Sequence, residues 1–293
     1  MTFLELYNSY LLECKANLKP SSVNKIINIV ELHILPYLKN EILPLTVDKI
    51  NSWKILIKNK NFSDTYIRSI YTYLSCIFNF GYRVYNIENT LHRTKNFKRT
   101  KPEFIPKIYT LEQFKKYLSV ITNLEERTFF SILFFCGLRK GELLGLKWTD
   151  FIDNYLIINK TFTKGKEGSP KTISSNRIIY LPNKIIEDLI LLKAKVKKVR
   201  TRIFNFKETT IDRHNRKYAL LANLPRIRIH DFRHSNITYL TYKNFTPMEI
   251  CERTGHKDKT IIVNKYSHLI NTYQKQIVDC INEDYWFFCF NGI

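Results

Sequence analysis

Several features that define other protein classes are missing from this 293-residue sequence. Its six cysteines are scattered, with neither the paired spacing of a zinc site nor the density of a disulfide framework. Residues 124–136 are predicted to form an apolar helix, but this run is too short and too interrupted to span a bilayer. Glu5 and Glu13 interrupt the first apolar run, so a signal peptide is not expected. We therefore expect a cytoplasmic protein that uses no metal or other cofactor.

Acidic residues are also scarce relative to basic ones. The chain has 47 Lys and Arg against 26 Asp and Glu, which gives a net charge of +21. Residues 1–100 hold 14 Lys and Arg against 7 Asp and Glu, and the remainder holds 33 against 19, so both parts are basic. Such a charge on a folded chain predicts a polyanionic partner. Two basic lobes suit double-stranded DNA, whereas no membrane or small-molecule partner is indicated.

The first part of the chain has the pattern of a small helical domain. Helix-capping residues predict four helices that begin near Thr2, near Ser21 or Ser22, at Thr46 and at Ser63. Within the first of these helices, the apolar residues predicted to form one buried face are Phe3, Leu4, Tyr7 and Leu11.

A basic segment containing Pro102 and Pro106 predicts a boundary between two domains. We interpret residues 1–91 as a helical domain, residues 92–108 as a linker and residues 109–271 as a second domain. Residues 272–293 are predicted to form a C-terminal helix and tail with an apolar face that another surface must cover. The predicted fold is mainly α with a small antiparallel β-sheet, in which residues 155–162 pair with residues 170–182.

Two arginines in the second domain indicate phosphate chemistry. Arg139 and Arg233 each present a planar fork of donors that matches phosphate oxygens. His230 lies three residues before Arg233, so the two side chains share one face if a helix begins there. Such donors can stabilise the negative charge on a phosphoryl group during its transfer and so take the place of a metal ion. Alone, an Arg-x-x-Glu or His-x-x-Arg pattern is common, and it is the order of the motifs that gives the prediction weight.

A histidine and a tyrosine follow near the end of the chain. Thr246 begins a predicted capping box, and Gly255 is predicted to end that helix, so His256 lies just beyond a tight turn. Tyr266 comes ten residues later. A phenol is a poor nucleophile at neutral pH, but neighbouring cations favour its charged form.

Cleavage of a phosphodiester also needs a proton donor for the departing sugar oxygen, and the predicted hairpin can supply one. Lys171 follows a polar turn and is our candidate general acid. Lys164 and Lys166 lie in the same hairpin, and either of them remains an alternative.

Together these residues resemble a tyrosine recombinase of the phage-integrase family. The resemblance rests on Gly137-Leu138-Arg139-Lys140-Gly141-Glu142-Leu143, Pro170-Lys171-Thr172, His230-Asp231-Phe232-Arg233-His234, Gly255-His256 and Tyr266-Ser267-His268. It covers about Tyr109 to Leu269, with a weaker likeness of the first ninety or so residues to the family's core-binding domain, which is SAM-like.

The resemblance implies a role for each residue of the site. Arg139 and Arg233 would bind the scissile phosphate, His230 and His256 would assist, Lys171 would protonate the leaving oxygen, and Tyr266 would form a covalent 3′-phosphotyrosine. Glu142 resembles the family's supporting acidic position. The family likeness further implies site-specific recombination, including integration of mobile elements, by a tetramer on DNA through a Holliday junction.

Other functions remain open at this point. A type IB topoisomerase shares the same chemistry but reseals the original strand, and a non-catalytic DNA-binding accessory protein would keep the fold. Metal-dependent transposases need clustered acidic ligands that this sequence does not obviously supply. Many integrases carry an additional N-terminal arm-binding domain, whereas here the first apolar helix begins by Phe3, so we expect either action on simple core sites or the loss of that domain.

Overall fold

A computed structural model of the chain describes residues 1–97, 107–168, 176–196 and 200–255. The chain divides into two compact units, Met1–Glu103 and Phe104–Ile293. Helices predominate in both units, and the strands are short and antiparallel. The predicted fold class, mainly α with a small antiparallel sheet, is therefore confirmed.

The first unit is made of helices alone among its described residues. Their bounds are Phe3–Asn17 (α1), Pro20–His33 (α2), Leu35–Leu38 (α3), Val47–Lys58 (α4) and Asp64–Tyr85 (α5), followed by a short 3-10 helix at Thr90–Arg93.

The capping residues explain where most of these helices begin. Thr2 forms the predicted capping box with Glu5, and Ser63 accepts a hydrogen bond from the backbone of Tyr66 at the start of α5. The predicted serine cap of the second helix is wrong. That helix begins at Pro20, whose fixed φ angle suits the first helical position, and Lys19 precedes it without a side-chain cap.

The buried face of α1 differs slightly from its predicted position. Phe3 and Tyr7 are buried as expected, but Leu4 is 37% exposed, and Leu6 is fully buried in its place. Leu6 also lies against Gly81 of α5, where an added Cβ would come within 2.9 Å of a Leu6 methyl group. Close packing of α1 on α5 therefore selects Leu6 rather than Leu4.

The first residues after the 3-10 helix pack against α4. The ammonium group of Lys54 donates hydrogen bonds to the Thr94 hydroxyl and to the Lys95 carbonyl, both at 2.7 Å. It also lies 5.1 Å from the ring centroid of Tyr71. A buried ammonium needs such partners, since desolvation otherwise disfavours its charge. The start of the connecting segment is thus held by the first unit.

The described residues of the second unit form helices and five short strands. Its helices are Leu111–Ser119 (α6), Leu124–Phe135 (α7), Lys140–Gly145 (α8), Asn183–Lys195 (α9), Glu208–Leu221 (α10), Ile229–Tyr242 (α11) and Pro247–Thr254 (α12), with a 3-10 helix at Trp148–Asp150. Its strands are Phe151–Ile152 (β1), Tyr155–Ile158 (β2), Thr161–Thr163 (β3), Lys166–Gly168 (β4) and Arg177–Tyr180 (β5).

The strands form two separate sheets rather than one long hairpin. In the three-stranded sheet β1–β2–β5, the partner of Tyr155 is Tyr180 and the partner of Ile158 is Arg177. The predicted pairing of these segments is confirmed for β2 and β5 only. Phe162 was predicted to continue the same ladder, but it pairs with Glu167 in the β3–β4 hairpin. The tight turn at Lys164 and Gly165, both with positive φ, closes this second hairpin locally.

Aromatic side chains dominate the core of the second unit. The rings of Phe114 and Phe134 stack with centroids 3.9 Å apart, and Phe232 of α11 packs edge-on against Phe114. Helix α7 packs against both α9 and α11. This core fixes α11 relative to the turn that follows α7, and both of these elements carry predicted site residues.

We expect the substitution Phe114→Ala to cost about 3–5 kcal/mol in the free energy of unfolding, because it removes a fully buried ring from this stack. Leu220→Ala is the control, since Leu220 is 79% exposed and its truncation should cost about 0.5 kcal/mol or less. Denaturant unfolding of the full chain measures both changes. Equal costs for the two variants would contradict this assignment of the core.

Candidate active site

Three of the six predicted site residues lie in described parts of the second unit. Arg139 is the N-cap residue of α8, and His230 and Arg233 lie in the first two turns of α11. Helix α11 begins at Ile229, which confirms the expectation that a helix starts at this motif. The other three predicted residues, Lys171, His256 and Tyr266, lie outside the described residues, as does the tail at 272–293.

A tight turn at Gly137 connects the two arginines. Gly137 has φ of +64°, and an added Cβ would lie 2.5 Å from Oδ1 of the buried Asn236. Only glycine accepts this backbone angle and this close approach without strain. The Gly137 carbonyl accepts a hydrogen bond from Nη1 of Arg233 at 2.8 Å. Arg233 is thereby joined to the turn that leads into Arg139.

A buried carboxylate orients Arg139. Glu142 is 1% exposed, and its Oε1 lies 2.6 Å from Nη1 of Arg139, while its Oε2 accepts from the Arg139 backbone N–H at 3.0 Å. Burial raises the pKa of Glu142, but hydrogen bonding and positive charge from Arg177 and Arg139 outweigh burial and hold that pKa below its ordinary value. Glu142 is therefore ionised at neutral pH. The likeness of Glu142 to a supporting acidic position agrees with this geometry.

The second partner of this carboxylate was not predicted from the sequence. Arg177, at the start of β5, donates from Nη2 to Oε2 of Glu142 at 2.9 Å, and its side chain is only 6% exposed. It shares the inward face of the strand with the buried Ile179, two residues on. The available signal in the sequence was an arginine at an inward-facing position of a predicted strand, in a domain that also contains Glu142.

The end of α12 meets the same two arginines. Gly255 ends this helix with φ of +69°, as predicted, and its carbonyl accepts from Nη2 of Arg139 at 3.0 Å. Arg177 donates from Nε to the Arg253 carbonyl at 2.9 Å. The backbone immediately before His256 is thus bound to both guanidinium groups.

The three described residues interact electrostatically. Desolvation lowers the pKa of His230, and the positive charges of Arg233 and Arg139 lower it further, whereas Asp231 raises it. His230 is therefore neutral at pH 7 and able to accept a proton. Its ring also lies 5.1 Å from the ring of His234, in an edge-to-face arrangement.

The two arginines differ in their access to a substrate. The side chain of Arg139 is 36% exposed, and its fork keeps N–H groups beyond those that bind Glu142 and Gly255. Arg233 is 1% exposed. An exposed positive fork beside a buried one and a neutral imidazole can bind a phosphate and take part in proton transfer.

The hairpin lysines occupy different positions in the structure. Lys164 lies in the β3–β4 turn, and its backbone N–H donates to Glu208 at 2.8 Å, while Lys166 begins β4 and is exposed. The β3 strand packs on α8, the helix that follows Arg139. The choice between Lys171, Lys164 and Lys166 as general acid thus stays a prediction.

The described residues offer neither a cluster of metal ligands nor a membrane-spanning helix. Among residues 1–97, 107–168, 176–196 and 200–255, no three His, Cys, Asp or Glu side chains are grouped closely enough to hold a metal ion. Within the same ranges, no helix has both the length and the apolar character that crossing a bilayer requires. Burial raises the pKa of the Cys136 thiol, next to the Gly137 turn, to about 11, so this cysteine stays protonated.

Comparison with known families agrees with this site. Residues 107–272 match the phage integrase family, and residues 2–50 match the N-terminal SAM-like domain of phage integrases. The first match covers more than half of the chain and includes every predicted site residue. This family match, on a chain with this fold, defines a DNA strand-transfer enzyme of the tyrosine recombinase class. The chain belongs to the phage integrase family and is a site-specific tyrosine recombinase.

Two similar proteins support the same family. The ICEBs1 integrase of Bacillus subtilis (strain 168) is 28% identical over 309 residues, which cover 97% of this chain and 83% of the relative. A XerC-like tyrosine recombinase of Caldanaerobacter subterraneus is 26% identical over 206 residues, which cover 59% of this chain and 53% of that protein. The likeness to the first of these extends over both units.

Solved structures share the fold. A variant of the Tn1549 transposon integrase in complex with a circular intermediate DNA superposes with a TM-score of 0.75 at 19% identity, covering 91% of this chain and 95% of the other. A lambda integrase dimer bound to a COC′ core site gives a TM-score of 0.69 at 16% identity, with coverage of 90% and 95%. At these identities the likeness concerns the fold alone.

We predict that His230 titrates below the ordinary histidine value of about 6.5, so it gains its proton only as the pH falls under that value. Arg139→Met removes one of the positive charges and should move the pKa of His230 upwards. The measurement is an NMR titration of the imidazole signals of the full chain. Lys140→Met is the matched control, because Lys140 pairs with Glu208 and Asp212 and should leave the pKa of His230 unchanged. An identical shift in both variants would refute direct coupling.

Proposed function

We propose that this recombinase cleaves DNA by attack of Tyr266 on a backbone phosphate that Arg139 and Arg233 bind. The attack forms a 3′-phosphotyrosine and releases a 5′-hydroxyl, and Lys171 gives that leaving oxygen its proton. The covalent link stores the energy of the broken bond, so resealing needs no ATP. A 5′-hydroxyl from a partner duplex then attacks the link and exchanges strands.

The observation that carries this proposal is the convergence of Arg139, His230 and Arg233. They come from two distant stretches of chain, yet the positive charges of both arginines reach His230, and Glu142 fixes the direction of Arg139. Phosphoryl transfer needs positive donors held in place before the charge develops, and this arrangement supplies them. Neutral His230 fits a role in accepting the proton of the attacking phenol.

The same cations favour ionisation of Tyr266. A phenol with an ordinary pKa of about 10 is mostly protonated at neutral pH, and positive charges close to it lower that pKa. The carbonyl of Gly255 binds Arg139, so the segment that leads to His256 and Tyr266 starts beside this charge. His256 is proposed to assist at the phosphate together with His230.

We further propose that strand exchange takes place in a tetramer on double-stranded DNA, through two rounds of cleavage and a Holliday junction. A lambda integrase dimer is bound to a core site in its solved structure, and the Tn1549 integrase is bound to a circular intermediate DNA. Residues 272–293 are proposed to pack on the neighbouring protomer. Exposed apolar side chains on the second unit, including Tyr242 and Phe245, offer surface of the kind that such a segment requires.

Tyr266→Phe should abolish covalent DNA adducts while leaving DNA affinity unchanged, because it removes only the nucleophilic oxygen. The assay maps protein-linked ends on nicked duplexes drawn from DNA that flanks the gene, and it identifies the cleavage site in the same experiment. Tyr273→Phe is the control and should form adducts as the wild type does. Adducts that persist in Tyr266→Phe would assign the nucleophile to another residue.

Deletion of residues 272–293 should reduce tetramer assembly on paired sites more strongly than binding to a single site. Ultracentrifugation with paired sites and gel-shift titration with one site measure the two quantities. Full-length Tyr266→Phe serves as the reference, because it retains the tail and cannot cleave. Equal losses in the two measurements would reject packing in trans. A strand-exchange assay on the same paired sites separates recombination from relaxation of a single duplex.

A further inference from the structure

Arg177 contacts two helices of the candidate active site, and protein groups engage its guanidinium. Its side chain is 6% exposed. It belongs to β5, six residues after Lys171, and it binds Glu142 in α8 and the Arg253 carbonyl at the end of α12. Both ends of its guanidinium fork are therefore used by protein groups from different elements.

The contact of Arg177 with Glu142 holds the carboxylate that orients Arg139. The Glu142 carboxylate lies within hydrogen-bond distance of Nη1 of Arg139 at 2.6 Å, of Nη2 of Arg177 at 2.9 Å and of Nη1 of Arg177 at 3.4 Å. A carboxylate buried to this degree keeps its charge and its direction only with such partners. Loss of the Arg177 contacts therefore releases Glu142, and with it the direction of the Arg139 fork.

The contact of Arg177 with α12 holds the turn before His256 in place. A Cβ added to Gly255 would come within 2.8 Å of Nη1 of Arg177, so the guanidinium lies directly against this turn. The Arg253 carbonyl belongs to the last turn of the helix, where carbonyls have no partner within the helix, and Arg177 satisfies it. The carbonyl of Gly255 itself binds Arg139.

We propose that Arg177 is a positioning residue for DNA cleavage, which holds the Arg139–Glu142 pair and the turn before His256 in one fixed arrangement. This inference rests on the proposed roles of Arg139 and His256. Lysine cannot replace it, because a single ammonium cannot bind the carboxylate in α8 and the carbonyl in α12 with the geometry of a planar fork.

Arg177→Lys should lower the first-order rate of covalent adduct formation by about 100-fold, the effect of a misplacement on the order of 1 Å at a reacting group. DNA affinity should stay within about threefold, since Arg177 is buried and only the geometry around Arg139 changes. The assay uses saturating protein and nicked duplexes that carry the cleavage site mapped with the wild type. Gel-shift titration on the same duplexes gives the affinity.

Arg200→Lys is the matched control in the same unit. Arg200 also bridges a carboxylate and backbone carbonyls, with hydrogen bonds to Glu125, Arg202 and Ile203. Its replacement removes a comparable arginine fork, and we expect its adduct rate to stay within about threefold of the wild type. An equal rate loss in the two variants would reduce Arg177 to a general structural role and overturn the proposal.

A modified substrate separates positioning from stability. A methylphosphonate at the scissile position lacks one negative charge, so its cleavage depends less on a correctly placed guanidinium. The rate defect of Arg177→Lys should therefore shrink at least tenfold on this substrate relative to the normal phosphate. A defect of the same size on both substrates would overturn the proposal, because a merely unstable protein would show that pattern.

A second variant tests the proposal if Arg177→Lys fails to fold. The double variant Arg177→Met, Glu142→Gln removes one positive and one negative charge together, which leaves no buried charge without a partner. It should show the same substrate-dependent defect, and adduct formation at the wild-type rate would overturn the proposal. Wild-type adducts in parallel reactions test the proposed function itself, so a failure there is distinct from a failure of the Arg177 variants.

Discussion

The arrangement of this site depends on one buried ion cluster, in which the Glu142 carboxylate lies between Arg139 and Arg177. Burial of a single charge would be strongly unfavourable, whereas the three groups together satisfy one another by hydrogen bonds. The cluster leaves one net positive charge, and Arg139 is its exposed member. A preorganised cation facing solvent therefore results from a carboxylate that is itself buried, and the remaining elements of the second unit pack around this arrangement.

The protonation state of His230 is a second consequence of the clustered arginines. Desolvation and three guanidinium groups, those of Arg233, Arg139 and Arg228, disfavour imidazolium at His230. The Asp231 carboxylate opposes them, but it is hydrogen-bonded to Arg228 at the start of the same helix. The positive charge thus stays on the groups that cannot lose it, and the group able to exchange a proton remains neutral. In the proposed mechanism, this division separates phosphate binding from proton transfer within a single small site.

Local patterns in the sequence predicted several helix starts and the site motifs, because capping and i, i+3 spacing act within a few residues. Thr2, Ser63, Thr246 and Gly255 were identified in this way, as was the helix beginning before His230. Features that depend on distant partners were not predictable. Leu4 and Leu6 are equally apolar, and only packing against Gly81 decides which of them is buried.

Dependence on distant partners also explains why the hairpin pairing and the role of Arg177 were not predicted correctly. A strand pattern does not fix where a ladder ends, so Phe162 was assigned to the wrong sheet. The pair of Arg177 and Glu142 joins residues 35 positions apart, and its importance appears only when the two elements are seen together. The predicted domain boundaries at 91 and 108 and the roles of all six predicted site residues stay predictions.

The hydrogen bond from Arg139 to the Gly255 carbonyl spans 116 positions in the chain. During synthesis on the ribosome, Arg139 emerges long before its partner exists, and the Arg253 carbonyl that Arg177 binds is equally late. A polypeptide that stops short of α12 therefore lacks the two carbonyl groups that orient these guanidinium groups. The arrangement around Arg139 is completed only by the last described helix to be synthesised.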